Sequence, residues 1–153
     1  MMGHHTRPPT GLTFHRAVVI SSTYRRVRLS PDGRLLAFGI SGANGNIWIY
    51  DLAQDVSSAL TADFDNSFPV WTPDGKHLTF SSTRAGSYNL YEQSIDGGAP
   101  AKSLSKSEYT QAPGAWIPDG TALLFSMFVE TQWDPGRGNS TQVESERPRD
   151  LLP

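Results

Sequence analysis

Three copies of one tripeptide constrain this chain most: Pro31-Asp32-Gly33, Pro73-Asp74-Gly75 and Pro118-Asp119-Gly120, spaced 42 and 45 residues apart. A period of that size marks an array of small β-sheets, each unable to bury both of its faces alone. Aligning the copies brings other positions into register. Two residues before each Pro stand Leu29, Trp71 and Trp116; five after it, Leu36, Leu78 and Leu123; seven after it, Phe38, Phe80 and Phe125. Leu and Phe two apart share one face of an extended strand. In the second copy the opposite face carries His77 and Thr79, whereas Leu35, Ala37, Ala122 and Leu124 make it apolar in the first and third. Sheets covered on both faces have this pattern.

The tripeptide is a turn with a mechanism. Pro presets φ, Asp accepts hydrogen bonds from nearby amides, and Gly takes the positive φ that follows a type I turn in a bulged hairpin. The spacing predicts four strands near 24–30, 34–41, 46–52 and 57–61, repeated near 67–72, 76–82, 88–95 and 101–105. The third unit supplies two, near 112–117 and 121–128, with Gly114 marking a bulge in the first of them. The stretch 12–20 reads as a strand of a preceding unit, 1–11 as a disordered N-terminus and 129–153 as an irregular tail. The units therefore fall at about 24–61, 67–105 and 112–128 within a region of repeats over 12–128.

Composition narrows the function classes. With 14 glycines, 11 prolines and 18% charged residues the chain suits a turn-dense β protein. A net charge of −2 gives no reason to expect nucleic acid as a partner. The absence of cysteine excludes disulfides and thiolate metal sites. No apolar run reaches the length of a membrane span, so membrane insertion by this chain is not expected. The first eleven residues hold histidines and prolines where a signal peptide needs an apolar stretch. Either the chain is not exported as it stands or its true start lies upstream, and the compartment stays open.

The string Leu29-Ser30-Pro31-Asp32-Gly33-Arg34-Leu35-Leu36-Ala37-Phe38 resembles the repeat of TolB-type, WD-repeat-like β-propellers, as do residues 69–76 and the strand Asn46-Ile47-Trp48-Ile49-Tyr50-Asp51. In wording the repeats are closest to the propellers that follow the kinase domain of bacterial serine/threonine kinases. The same repeat type accompanies prolyl-oligopeptidase-type hydrolases. The resemblance implies an all-β fold, a partial propeller of four-stranded antiparallel blades, with about two full blades and parts of one or two more. Propellers close with about 4–8 blades. The chain therefore reads as a segment of one, and its open blade edges offer a route to self-association.

Catalytic constellations are missing from the sequence. Asp32, Asp74 and Asp119 read as turn formers. Asp63-Phe64-Asp65-Asn66 lacks the glycine and distal glutamate of a calcium loop and reads as a solvated interblade loop. His4, His5, His15 and His77 have no metal-ligand spacing. No nucleophile elbow, phosphate loop or kinase motif occurs. No enzyme activity, metal or cofactor is expected. Trp71 and Trp116 are expected in interblade cores, and Trp133 has no repeat partner.

Arg25, Arg26 and Arg28 are the ligand-binding candidates, Arg26 and Arg28 on one face of the first strand and Arg25 opposite. The resemblance places that strand on the channel of a closed propeller, where a basic wall attracts an anionic ligand or peptide carboxylate. The expected role is a non-catalytic interaction or sensor module with a protein or peptide partner, from a kinase-linked or TolB-like protein. The alternative is the gating propeller of a prolyl-oligopeptidase-type peptidase.

Overall fold

The computed structural model describes residues 24–40, 44–129 and 142–146, with the backbone alone for Tyr24, Arg25 and 142–146. The first blade comprises β1 (Tyr24–Leu29), β2 (Leu35–Ile40), β3 (Asn46–Asp51) and β4 (Val56–Ala59). The second comprises β5 (Asn66–Trp71), β6 (His77–Ala85), β7 (Ser87–Ser94) and β8 (Lys102–Ser103). The third holds β9 (Thr110–Trp116), β10 (Leu123–Phe128) and β11 (Gln142–Glu146). Each sheet is antiparallel and its strands follow chain order, so the fold is all-β and built of propeller blades.

Each Pro-Asp-Gly sequence closes the hairpin between the first two strands of its blade. The Gly33, Gly75 and Gly120 amides donate to the carbonyls of Ser30, Thr72 and Ile117, each at 2.9 Å. All three glycines adopt positive φ, between 69° and 74°, which a side chain would disfavour. The Asp32 carboxylate accepts from Ser30 Oγ at 2.6 Å and from Arg34 N at 3.1 Å; Asp74 accepts from Thr72 Oγ1 at 2.6 Å and Lys76 N at 2.9 Å. In the third blade Ile117 has no hydroxyl to offer, and Thr121 supplies both bonds to Asp119. These hydroxyl and amide donors hold all three carboxyls below the ordinary range. A second repeated bond ties β3 and β7 to a hydroxyl just beyond the fourth strand: Ile47 N donates to Thr61 Oγ1 at 2.9 Å, and Leu90 N to Ser105 Oγ at 3.0 Å.

The blades pack face to face in order. Ala37, Ile47 and Ile49 of the first meet Trp71, Leu78, Phe80 and Tyr91 of the second, all buried. Leu90 and Leu104 of the second join Leu123 and Phe125 of the third, with Trp116 and Met127 at the margin. Trp indoles bridge both seams: Trp71 Nε1 donates to Arg28 O at 2.9 Å and Trp116 Nε1 to Thr79 Oγ1 at 3.0 Å. The hairpin turns also stack, since a Cβ built on Gly75 would lie 3.5 Å from Pro31 Cδ, and one on Gly120 would lie 3.8 Å from Pro73 Cγ.

One expectation holds more widely than stated, and one needs correction. The bulge predicted for the third unit occurs in all three blades. Arg26-Val27, Phe68-Pro69 and Pro113-Gly114 each oppose one repeat phenylalanine, Phe38, Phe80 or Phe125. The tail is also not wholly irregular, because Gln142–Glu146 pairs antiparallel with β10, from Leu123↔Glu146 to Met127↔Gln142. It takes the third-strand place in its blade. An edge strand draws its order from the ladder of its neighbour, so it needs no apolar alternation of its own. The expected strand at 12–20, the N-terminal 1–11 and the rest of 129–153 lie outside the described residues, save Val129.

Candidate functional site

A bulge sets two residues against one and re-aims the side chains around it. Here three bulges sit on the three first strands, with β1 packed on β5 and β5 on β9. They converge on one cleft of about 220 Å³. Arg26 and Arg28 come to it from the first blade, Phe68, Pro69 and Val70 from the second, and Ala112, Pro113 and Gly114 from the third, with Ser126 and Phe128 of β10. Among the described residues the lining carries two guanidiniums and no carboxylate.

The two arginines differ in how they are held. Arg26 and Phe68 occupy equivalent bulge positions with φ of 57°, a left-handed conformation that costs both residues strain. The Arg26 guanidinium stacks over the Phe68 ring at 4.7 Å from its centroid. Arg28 is exposed and donates to the neighbouring Val27 carbonyl at 3.3 Å. Pro113 cannot take positive φ, and the third bulge relies on Gly114, where an added Cβ would stand 3.1 Å from Leu124 O. Of the three candidate arginines, two therefore reach the cleft. Arg25 pairs with Gly39 on the ladder, and its side chain lies outside the described part of the structure.

The other candidate groups are committed to structure. Asp65 is tied down rather than solvated, accepting from Gly45 N at 3.1 Å and from the Tyr88 hydroxyl. Burial, then the bond to Asp65, pushes Tyr88 up to about 12. Asn66 Nδ2 donates to Asp63 O at 2.8 Å. Among the described residues no group of three His, Cys, Asp or Glu could hold a metal ion. His77 lies on β6, while His4, His5, His15 and Trp133 fall outside the described residues. A wider depression of about 620 Å³ lies against Ala85, Asn89 and residues 106–109. The Asn89 amide there is already bonded to Ser87 O and Ser107 O.

Sequence reasoning missed two residues. Arg84 is half-buried beside the rings of Tyr91 (4.8 Å), Phe64 (5.2 Å) and Phe80 (5.9 Å), and donates to Ser82 Oγ and Asn66 Oδ1. It pins the interblade loop onto the second blade, and burial lowers its pKa. Glu92 stands half-buried where the first blade has Ile49, and burial pushes its carboxyl up. Neither has a repeat equivalent of the same chemistry, so the alignment carried no signal for them.

Residues 15–142 match the model of the TolB beta propeller domain. The Uncharacterized peptidase YuxL of Bacillus subtilis is 34% identical over 107 residues, covering 64% of this chain and 16% of YuxL. The solved structure of a putative TolB from Agrobacterium tumefaciens superposes with a TM-score of 0.66 at 23% identity, over 78% of this chain and 47% of that one. A Mycobacterium tuberculosis puromycin-hydrolyzing peptidase gives 0.67 at 17% identity, over 88% of this chain and 22% of that one. The chain thus spans a minor part of these relatives.

Proposed function

The chain belongs to the TolB β-propeller family, and from that membership we propose that it works by recognition, as a non-catalytic interaction module within a TolB-like or kinase-linked sensor protein. One observation carries the reading: the three bulged first strands share a cleft with Arg26 and Arg28 on its wall and, among the described residues, no carboxylate beside them. Rigid blades hold such a cleft open without spending energy on ordering it when a partner arrives. The arginines select for negative charge, and the apolar wall gives the partner surface to bury.

Site-specific photocrosslinking in the source cell tests this. A photoreactive residue at Ser126, in the cleft, should capture a discrete protein or peptide partner that the same residue at Ser57, on the outer strand β4, does not. Equal capture at both positions, or none at Ser126, contradicts the proposal.

A second reading is favoured by the match to YuxL. The chain is then the gating propeller of a prolyl-oligopeptidase-type peptidase whose catalytic domain lies elsewhere in the protein. The complete protein would hydrolyse peptide p-nitroanilides and lose that activity to a serine-directed fluorophosphonate. Resistance to that reagent, or no hydrolysis, removes this reading.

A further inference from the structure

The chemistry of the cleft is more selective than a basic patch. Its two cations and its apolar walls face the same small volume. At about 220 Å³ it is smaller than the ~300–1,000 Å³ of sites that take drug-sized ligands or cofactors. That volume suits one residue better than a drug-sized ligand, and a free inorganic anion would leave Phe68 and Phe128 uncovered. A single residue bearing both a carboxylate and an apolar side chain satisfies both walls.

On the reading of this cleft as the recognition site, we infer that it takes the C-terminal residue of a peptide: the free α-carboxylate on Arg28, the apolar side chain against Phe68, Val70 and Phe128. The two arginines then have separate duties. On this inference Arg26, whose guanidinium faces the Phe68 ring 4.7 Å away, is the positioning residue that holds that wall. Arg28 has one weak bond to its neighbour's carbonyl and presents the rest of its planar fork to an incoming carboxylate. Charge complementarity supplies the direction: among the described residues no acidic side chain lines the cleft to neutralise either arginine.

The test compares N-acetyl-Ala-Ala-Leu with its C-terminal amide by titration calorimetry on the purified chain. The free acid should bind about tenfold or more tightly than the amide, the scale of one charge-assisted hydrogen bond. Arg28→Gln should erase that preference while leaving amide binding unchanged. Arg28 is exposed, so the variant should fold. Arg26→Gln should weaken acid and amide together. Equal affinity for acid and amide, or a preference that survives Arg28→Gln, overturns the inference and leaves the cleft as a recognition site of other chemistry. Inorganic phosphate competing as well as the free acid also overturns it. Binding of both peptides that is indifferent to Phe128→Ser overturns the reading of the cleft itself.

Discussion

The indole N–H of Trp71 donates to the backbone carbonyl of Arg28 at 2.9 Å, across the seam between the first and second blades. It fastens the core of the second blade to the strand of the first that carries the cleft arginines. Seam stability and cleft geometry are therefore linked at this point. Trp71 is 7% exposed, whereas Leu29, at the equivalent place in the first blade, is 56% exposed.

Trp71→Ala should destabilise the chain by about 3–5 kcal/mol, from lost burial and the cavity left behind. Trp71→Phe should cost less, with about 1 kcal/mol of it from the missing hydrogen bond. Leu29→Ala should stay within about 0.5 kcal/mol. Urea unfolding followed by circular dichroism measures all three, and similar costs at positions 71 and 29 would contradict the seam.

Gly45→Ala should be costly without any unusual φ. The new Cβ would stand 2.5 Å from Asp65 Oδ1 and 3.0 Å from the Asn66 carbonyl. The carboxylate can swing aside only by giving up the Gly45 amide, and the carbonyl belongs to the backbone of β5. A loss of about 1–3 kcal/mol is expected, the range for overpacking. A neutral substitution, read in the same urea series, would show that the loop yields freely.

The pH dependence separates Glu92 from the turn aspartates. Burial raises the Glu92 pKa above 4.5, so the folded state binds that proton more tightly than the unfolded one. Ionised Glu92 therefore weakens the fold at neutral pH, and the penalty fades as pH falls through its folded value. Asp32, Asp74 and Asp119 act oppositely. Their folded values lie below 3.8, so their contribution is present above that pH and is lost as pH falls through the folded values. Glu92→Gln should raise the midpoint of thermal unfolding at pH 7, and the gain should vanish toward pH 4. A gain that is constant with pH, or a loss at pH 7, would be inconsistent with this assignment.

Much of the fold is legible in the sequence because the repeat carries it. The Pro-Asp-Gly corners, the Leu/Phe pairs and the strands they flank recur at fixed offsets, and a position that recurs must serve a blade. What the sequence hides lacks such a marker. The bulges at Arg26-Val27 and Phe68-Pro69 contain no glycine, unlike Pro113-Gly114, so only the third was visible. Strand β11 reads Gln-Val-Glu-Ser-Glu, with no apolar alternation, and gains its order from the open edge of β10. Arg26 and Arg28 were legible as charge. The apolar wall opposite them was not, because Phe68 and Pro113 reach it from other blades and only the packing of blades brings them to β1.

The central claim is that three first strands, far apart in sequence, form one binding cleft. Mapping amide chemical-shift changes on a ¹⁵N-labelled sample during titration with N-acetyl-Ala-Ala-Leu tests it most directly. Saturable shifts should appear together at Arg28, Val70 and Gly114 with one dissociation constant. Shifts confined to one blade, shifts clustered on the depression near Ser107, or none at saturating peptide would contradict it.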